Sequence, residues 1–134
     1  MPEFSKLVLT WFARHGRKDL PWQENKNPYR IWLSEIMLQQ TQVVTVIPYY
    51  LRFTSSFPNL NILSKASLDS VLEHWSGLGY YARARNLHKT SIYIKDHYDG
   101  HFPLDFDQLI DLPGIGRSTA GAILALSDNQ IYPI

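Results

Sequence analysis

A carboxylate among apolar neighbours is the first group in this chain that could do chemistry. Glu35 lies in the run Ile31-Trp32-Leu33-Ser34-Glu35-Ile36-Met37-Leu38. Helical spacing puts it on one face with Ile31, Trp32, Leu38 and Gln39. Desolvation disfavours the charged form, so its pKa is expected to rise. A carboxyl that stays protonated near neutral pH can donate a proton to a leaving group. The plainer alternative is a glutamate at the edge of a buried helix, reaching water. Gln39, Gln40, Thr41 and Gln42 follow at once. They are uncharged donors and acceptors of the kind that read base edges. They also suit an ordinary polar helix terminus.

Two glycine-bearing turns supply a different chemistry. In Leu112-Pro113-Gly114-Ile115-Gly116-Arg117-Ser118-Thr119-Ala120, two glycines separate the end of one helical stretch from the start of the next. Glycine lets the backbone approach a ligand, and the following helix offers unpaired N–H groups at the positive end of its dipole. That combination holds a phosphate. A simple glycine-stopped corner fits the same residues. Gly77-Leu78-Gly79-Tyr80-Tyr81-Ala82-Arg83-Ala84-Arg85 repeats the glycine pair ahead of two tyrosines. The tyrosines could insert into or stack on bases, and Arg83 and Arg85 could meet phosphates. Otherwise the tyrosines are core and the cations a solvated face.

These groups need helices to hold them. Phe4, Leu7, Val8, Trp11 and Phe12 follow a helical repeat that Gly16 closes. Asn27-Pro28 marks an N-cap and first-turn proline, opening a helix through about Leu38. Further helices are expected over about Thr41–Thr54, with a kink at Pro48, and over about Leu60–Lys65. Ser67 caps the next, which Gly77 and Gly79 close. The longest spans Tyr80 to Tyr98, with Tyr80, Ala84, Leu87, Ser91, Ile94 and Tyr98 on one stripe, and Gly100 ends it. Phe106–Leu112 enters the glycine hairpin and Arg117–Ser127 leaves it. No strand, repeat or low-complexity linker is evident, so the fold class is all-α.

Composition narrows the choices. The chain has 134 residues, 45% of them hydrophobic, enough for a core and for one domain or part of one. Thirteen Lys+Arg stand against twelve Asp+Glu, so any nucleic-acid contact must come from local placement of charge. There is no cysteine, hence no disulfide and no thiolate metal site in this chain. No apolar run is long enough to span a bilayer, and the N-terminus lacks the pattern of a signal peptide. A cytoplasmic, nucleoid-associated protein without membrane contact is expected. The apolar end Gln130-Ile131-Tyr132-Pro133-Ile134 reads as an interrupted chain.

The Leu-Pro-Gly-x-Gly turn looks like a helix-hairpin-helix. The three signals in this order resemble the adenine DNA glycosylases of the MutY type, within the helix-hairpin-helix glycosylase superfamily. The matching residues are Leu20-Pro21-Trp22, Ser34 through Gln42, Gly77 through His88, and Leu112 through Ala120. The resemblance covers essentially the whole chain. It implies an enzyme that flips adenine out of mispairs with 8-oxoguanine or guanine and hydrolyses the N-glycosidic bond. Glu35 would protonate the adenine, and Leu20 and Trp22 would wall its pocket. Gln40 and Tyr80 would wedge into the duplex, with Gln39, Thr41, Arg83 and Arg85 as further DNA contacts. The hairpin residues Leu112, Gly114, Gly116, Ser118 and Thr119 would grip the lesion strand. A sibling family, the endonuclease III type, carries a Schiff-base lysine where this chain has Ser118, so a monofunctional hydrolase is implied.

The resemblance also implies parts that this chain lacks. A catalytic aspartate would fall just beyond Ile134 by register. A 4Fe–4S cluster on four cysteines belongs to the full-length family, with no metal in this chain. Residues 1–134 are therefore expected to be the N-terminal part of such a catalytic domain, an incomplete fold of mainly the six-helix lobe with its hairpin. Little or no excision by the chain alone is expected, and a monomer when full length. Two other readings remain, a non-catalytic helix-hairpin-helix DNA-binding module and a glycosylase for thymine or uracil. The polar run after Glu35 favours the adenine enzymes over the latter.

Overall fold

The computed structural model describes Pro21 and residues 27–126. Seven helices cover them: α1 (Pro28–Leu38), α2 (Val43–Ser56), α3 (Leu60–Lys65), α4 (Leu68–Trp75), α5 (Tyr81–Tyr98), α6 (Phe106–Ile110) and α7 (Arg117–Leu126). The described residues contain no strand. The expected helix over Phe4–Phe12, Ser127 and the apolar chain end lie outside the described residues.

Four helices start on a side-chain cap. Asn27 Oδ1 accepts from the Arg30 amide at 2.9 Å, and Asn59 Oδ1 from the Ile62 amide at 2.9 Å. Ser67 Oγ accepts from Ser70 at 3.1 Å, and Asp105 Oδ2 from Gln108 at 3.1 Å. Each such cap stabilises a helix by about 1 kcal/mol. These are the starts of α1, α3, α4 and α6. The starts of α2 and α5, at Gln42 and Tyr80, have no side-chain cap, and Gly116 before α7 has no side chain to offer. The helices left open at the N-terminus are thus the ones that begin in the glutamine run and in the two glycine turns.

α5 is the spine. α3 and α4 pack along it, α4 also meets α2, and α1 joins α2 on one side and α7 on the other. Trp32, Phe53 and Trp75 are fully buried at the centre, with Leu87 and Ile94 from α5, Leu109 from α6 and Ile123 from α7. The Phe53 and Trp75 rings meet edge to face at 6.0 Å, and Trp32 meets Phe102 at 5.2 Å. Burying each such ring contributes roughly 2–3 kcal/mol.

Pro48 lies within α2 without ending it. It leaves the Val44 carbonyl without its intrahelical donor, and Val44 is 72% exposed, so water can satisfy that oxygen. One expectation needs correction. Tyr80 does not continue the buried stripe of Ala84, Leu87, Ser91 and Ile94. It stands before the helix in the left-handed region, at φ 53, and is 60% exposed.

Candidate functional site

Glu35 occupies the third turn of α1, half-buried, with Ile31 and Trp32 one turn before it fully packed. Burial raises its pKa above the ordinary carboxylate range, with no opposing contribution from a neighbouring charge. Of the other residues assigned to its face, Leu38 is half-buried, while Gln39 is exposed in the turn that ends the helix.

That turn is tight. The Gln39 amide bonds back to the Ile36 carbonyl at 3.2 Å, and the Thr41 amide to the Leu38 carbonyl at 3.4 Å. Gln40 between them sits at φ 58 with its side chain exposed. A non-glycine residue there carries strain of about 1–2 kcal/mol.

The glycine–tyrosine turn uses the same conformation three times, at Gly77 (φ 95), Gly79 (φ 84) and Tyr80 (φ 53). Glycine is required at Gly77 on two counts, since a Cβ there would also collide with the Tyr49 hydroxyl. Trp75 Nε1 donates to the Gly79 carbonyl at 3.1 Å, and Leu78 is buried beneath the loop. Tyr80 is left facing outward.

Arg83 lies one turn into α5 and points inward, between the two turns. Its Nη1 donates to the carbonyls of Ile36 (2.7 Å), Met37 (3.1 Å) and Gln39 (2.6 Å). Its Nη2 reaches Thr41 Oγ1 at 3.3 Å and the Gly79 carbonyl at 3.2 Å. The guanidinium lies 5.5 Å from the Trp75 ring centroid and 5.4 Å from that of Tyr80. Burial pulls its pKa below the usual arginine range, partly offset by Tyr80, and the group stays charged. A side chain read from sequence as a phosphate contact is therefore engaged with the protein's own carbonyls. Arg85, on the other side of the helix, is exposed and open to a phosphate.

The hairpin is anchored by apolar side chains and open in its backbone. Leu112 and Ile115 are buried, and the Ile115 amide bonds to the Leu112 carbonyl at 3.2 Å. Gly114 takes φ 77, and nothing lies within 4 Å of a Cβ built on Gly116. Ser118 is exposed, whereas Thr119 and Leu112 are buried, so these two shape the hairpin from beneath. α5 holds this loop too. Thr90 Oγ1 donates to the Pro113 carbonyl at 2.6 Å, and the Asn86 side chain lies against Gly114.

One helix thus touches all three sequence signals, through Arg83, Asn86 and Thr90. Sequence reasoning placed Asn86 in the motif without a role, missed Thr90 and Trp75, and read Arg83 as a DNA contact. Leu20 and Trp22 lie outside the described residues, as does any pocket they form. An iron–sulfur cluster does not fit the residues present: the chain has no cysteine, and the described residues contain no cluster of His, Asp and Glu that could hold a metal. No helix among the described residues is long and apolar enough to cross a membrane.

Comparison with known proteins agrees with this geometry. Residues 33–131 match the family described as HhH-GPD superfamily base excision DNA repair protein. An adenine DNA glycosylase of Buchnera aphidicola is 59% identical over 131 residues, spanning 98% of this chain and 37% of its own length. The chain thus covers little more than a third of that relative. Among solved structures, a thermostable thymine-DNA glycosylase aligns with a TM-score of 0.77 at 25% identity, over 96% of this chain and 59% of its own. A non-covalent endonuclease III–DNA complex aligns with a TM-score of 0.72 at 22% identity, over 96% of this chain and 61% of its own, and shows the shared fold.

Proposed function

The chain belongs to the HhH-GPD superfamily of base excision DNA repair proteins, and on that premise we propose that it carries the acid and duplex-gripping half of an adenine DNA glycosylase. The substrate is double-stranded DNA with adenine opposite 8-oxoguanine or guanine. The observation that carries the proposal is Glu35, a half-buried carboxyl whose pKa burial raises, one residue from the α1 carbonyls that Arg83 grips. A flipped adenine leaves the sugar more readily once its ring is protonated. A raised pKa makes Glu35 suited to supply that proton.

The remaining groups have consistent roles. Gln40 and Tyr80 are exposed and locked in left-handed turns, so they can enter the duplex without paying for reordering. Gly114 and Gly116 present open backbone for a phosphate of the lesion strand, ahead of α7. Arg85 adds a second, side-chain contact. Ser118, exposed in the hairpin, has no amine with which to form a Schiff base, which favours hydrolysis by water over lyase chemistry.

The test is single-turnover release of adenine from an adenine:8-oxoguanine duplex by the whole protein that carries these residues. Glu35→Gln should slow release by about 10²–10⁴-fold, the usual worth of a general acid. Its duplex affinity should stay near that of the parent. Unchanged release would remove Glu35 from the chemistry. A parent protein that binds the duplex but releases no base would favour a non-catalytic binding module.

A further inference from the structure

We propose that Arg83 is a positioning residue that sets the Gln39–Thr41 and Gly79–Tyr80 turns as one unit, so that Gln40 and Tyr80 enter a duplex together. The proposal deepens the reading above and rests on it for the role of those two side chains. Its structural part stands on the hydrogen bonds alone.

The guanidinium bridges two loops that share no neighbouring sequence. Ile36, Met37 and Gln39 offer carbonyls at the end of α1, where the helix dipole favours a cation and the Ile36 oxygen accepts from both Arg83 and the Gln39 amide. Thr41 closes the glutamine turn on the same group. The Gly79 carbonyl, also held by Trp75, brings in the second turn. The Trp75 and Tyr80 rings both lie within cation–π distance of the guanidinium, at 5.5 and 5.4 Å. Two of the three non-glycine residues with positive φ among the described residues, Gln40 and Tyr80, directly follow carbonyls that Arg83 holds, those of Gln39 and Gly79. Strained backbone persists where surrounding contacts over-determine it. A planar fork of donors can serve both turns at once. A lysine ammonium has its three donors on one nitrogen and lacks the separated Nη1 and Nη2 that reach the two turns.

This assignment differs in consequence from a phosphate contact. A phosphate contact acts on all DNA alike. A clamp acts only on what Gln40 and Tyr80 recognise.

The experiment compares the 134-residue chain with Arg83→Lys and Arg83→Met. Backbone amide spectra follow Gln40, Tyr80 and Gly114. Binding is measured to a duplex with adenine opposite 8-oxoguanine and to its matched counterpart, across a range of salt. In both variants the Gln40 and Tyr80 amides should shift together while Gly114 stays in place. Preference for the mispaired duplex should fall by roughly tenfold, about the worth of one stacked base. The slope of log affinity against log salt should not change. A slope reduced by about 0.9 marks a lost phosphate contact and overturns the proposal. So does a response confined to one turn or absent from both. Unfolding of Arg83→Lys overturns it as well, because Arg83 is then a residue of the fold. If the parent chain shows no preference for the mispair, the adenine reading fails, and the joint response of the two turns alone decides whether Arg83 is the clamp.

Discussion

At the Leu112–Ala120 hairpin the backbone turns on residues with no side chain. Gly114 takes φ 77 in ordinary contact with Asn86, and the space around Gly116 is open. At Gln40 and Tyr80 the same left-handed backbone is held by residues that do have side chains, and those side chains are exposed. The hairpin presents backbone to a ligand, so glycine serves it best. The paired turns present side chains, so glycine would remove the tool. The cost of the left-handed geometry is then met by side-chain contacts: Arg83 holds both turns, from more than forty residues away at Gln40 and from the adjoining helix at Tyr80, where Trp75 helps. A turn that must expose its backbone can relieve its left-handed geometry with glycine, whereas a turn that must expose a strained side chain needs other side chains to hold it.

The sharpest way to break that contrast is at Trp75. Its ring is fully buried against Phe53, it holds the Gly79 carbonyl, and it flanks the Arg83 guanidinium. Trp75→Ala should destabilise the chain by about 3–5 kcal/mol, read by denaturant unfolding. Trp75→Phe keeps most of the packing and loses the hydrogen bond, so it should cost only about 1 kcal/mol beyond the change in volume. It should disturb the Tyr80 amide and leave Gly114 alone. If both sites respond equally to Trp75→Phe, the two regions are not independent and the contrast fails.

A paired substitution tests the other side. Gly114→Ala places a Cβ on left-handed backbone, without a clash, and should destabilise by about 1 kcal/mol. Gln40→Gly relieves the same strain in the opposite sense and should stabilise by up to about 1 kcal/mol. Opposite signs in thermal unfolding are expected. A loss of stability in Gln40→Gly would mean that the glutamine side chain makes contacts that outweigh its backbone strain.

The same contrast explains what could be read from sequence. Asn27 and Ser67 cap the helices they were expected to cap, because an N-cap is satisfied within three residues. The glycine turns were equally legible, since Gly77, Gly79 and Gly114 do take positive φ. Glu35 showed its raised pKa through neighbours on its own helix. Arg83 was illegible because all its side chain's hydrogen-bond partners but Gly79 lie 42 to 47 residues earlier in the chain. Read locally, a cation one turn into a helix after two tyrosines faces solvent. Tyr80 was misplaced for the same reason. Helical periodicity has no means of recording that side-chain contacts to the Gly79 carbonyl hold the residue outside the helix.

The smallest expected effect concerns Glu35 and has a sign that depends on pH. Burial raises the folded carboxyl above its ordinary range, whereas in the unfolded chain it titrates normally. Below about pH 3 both states are protonated, and Glu35 is as uncharged as a glutamine; at pH 4 the difference is still small. As pH rises, the unfolded chain releases its proton first, so the unfolded state gains and stability falls. The fall ends once pH has passed the raised folded pKa. Glu35→Gln has no proton to lose. It should match the parent near pH 4 and melt slightly above it at pH 7–8, with the difference opening between those limits. Gly114→Ala, which acts through backbone strain, should instead lower the midpoint by the same amount at every pH. A Glu35→Gln difference that is flat in pH, or that favours the parent at neutral pH, would mean that the carboxylate is stabilised where it sits. Glu35 would then be a poor proton donor, and the hairpin and the clamped turns would be left as a means of holding DNA without an acid to act on it.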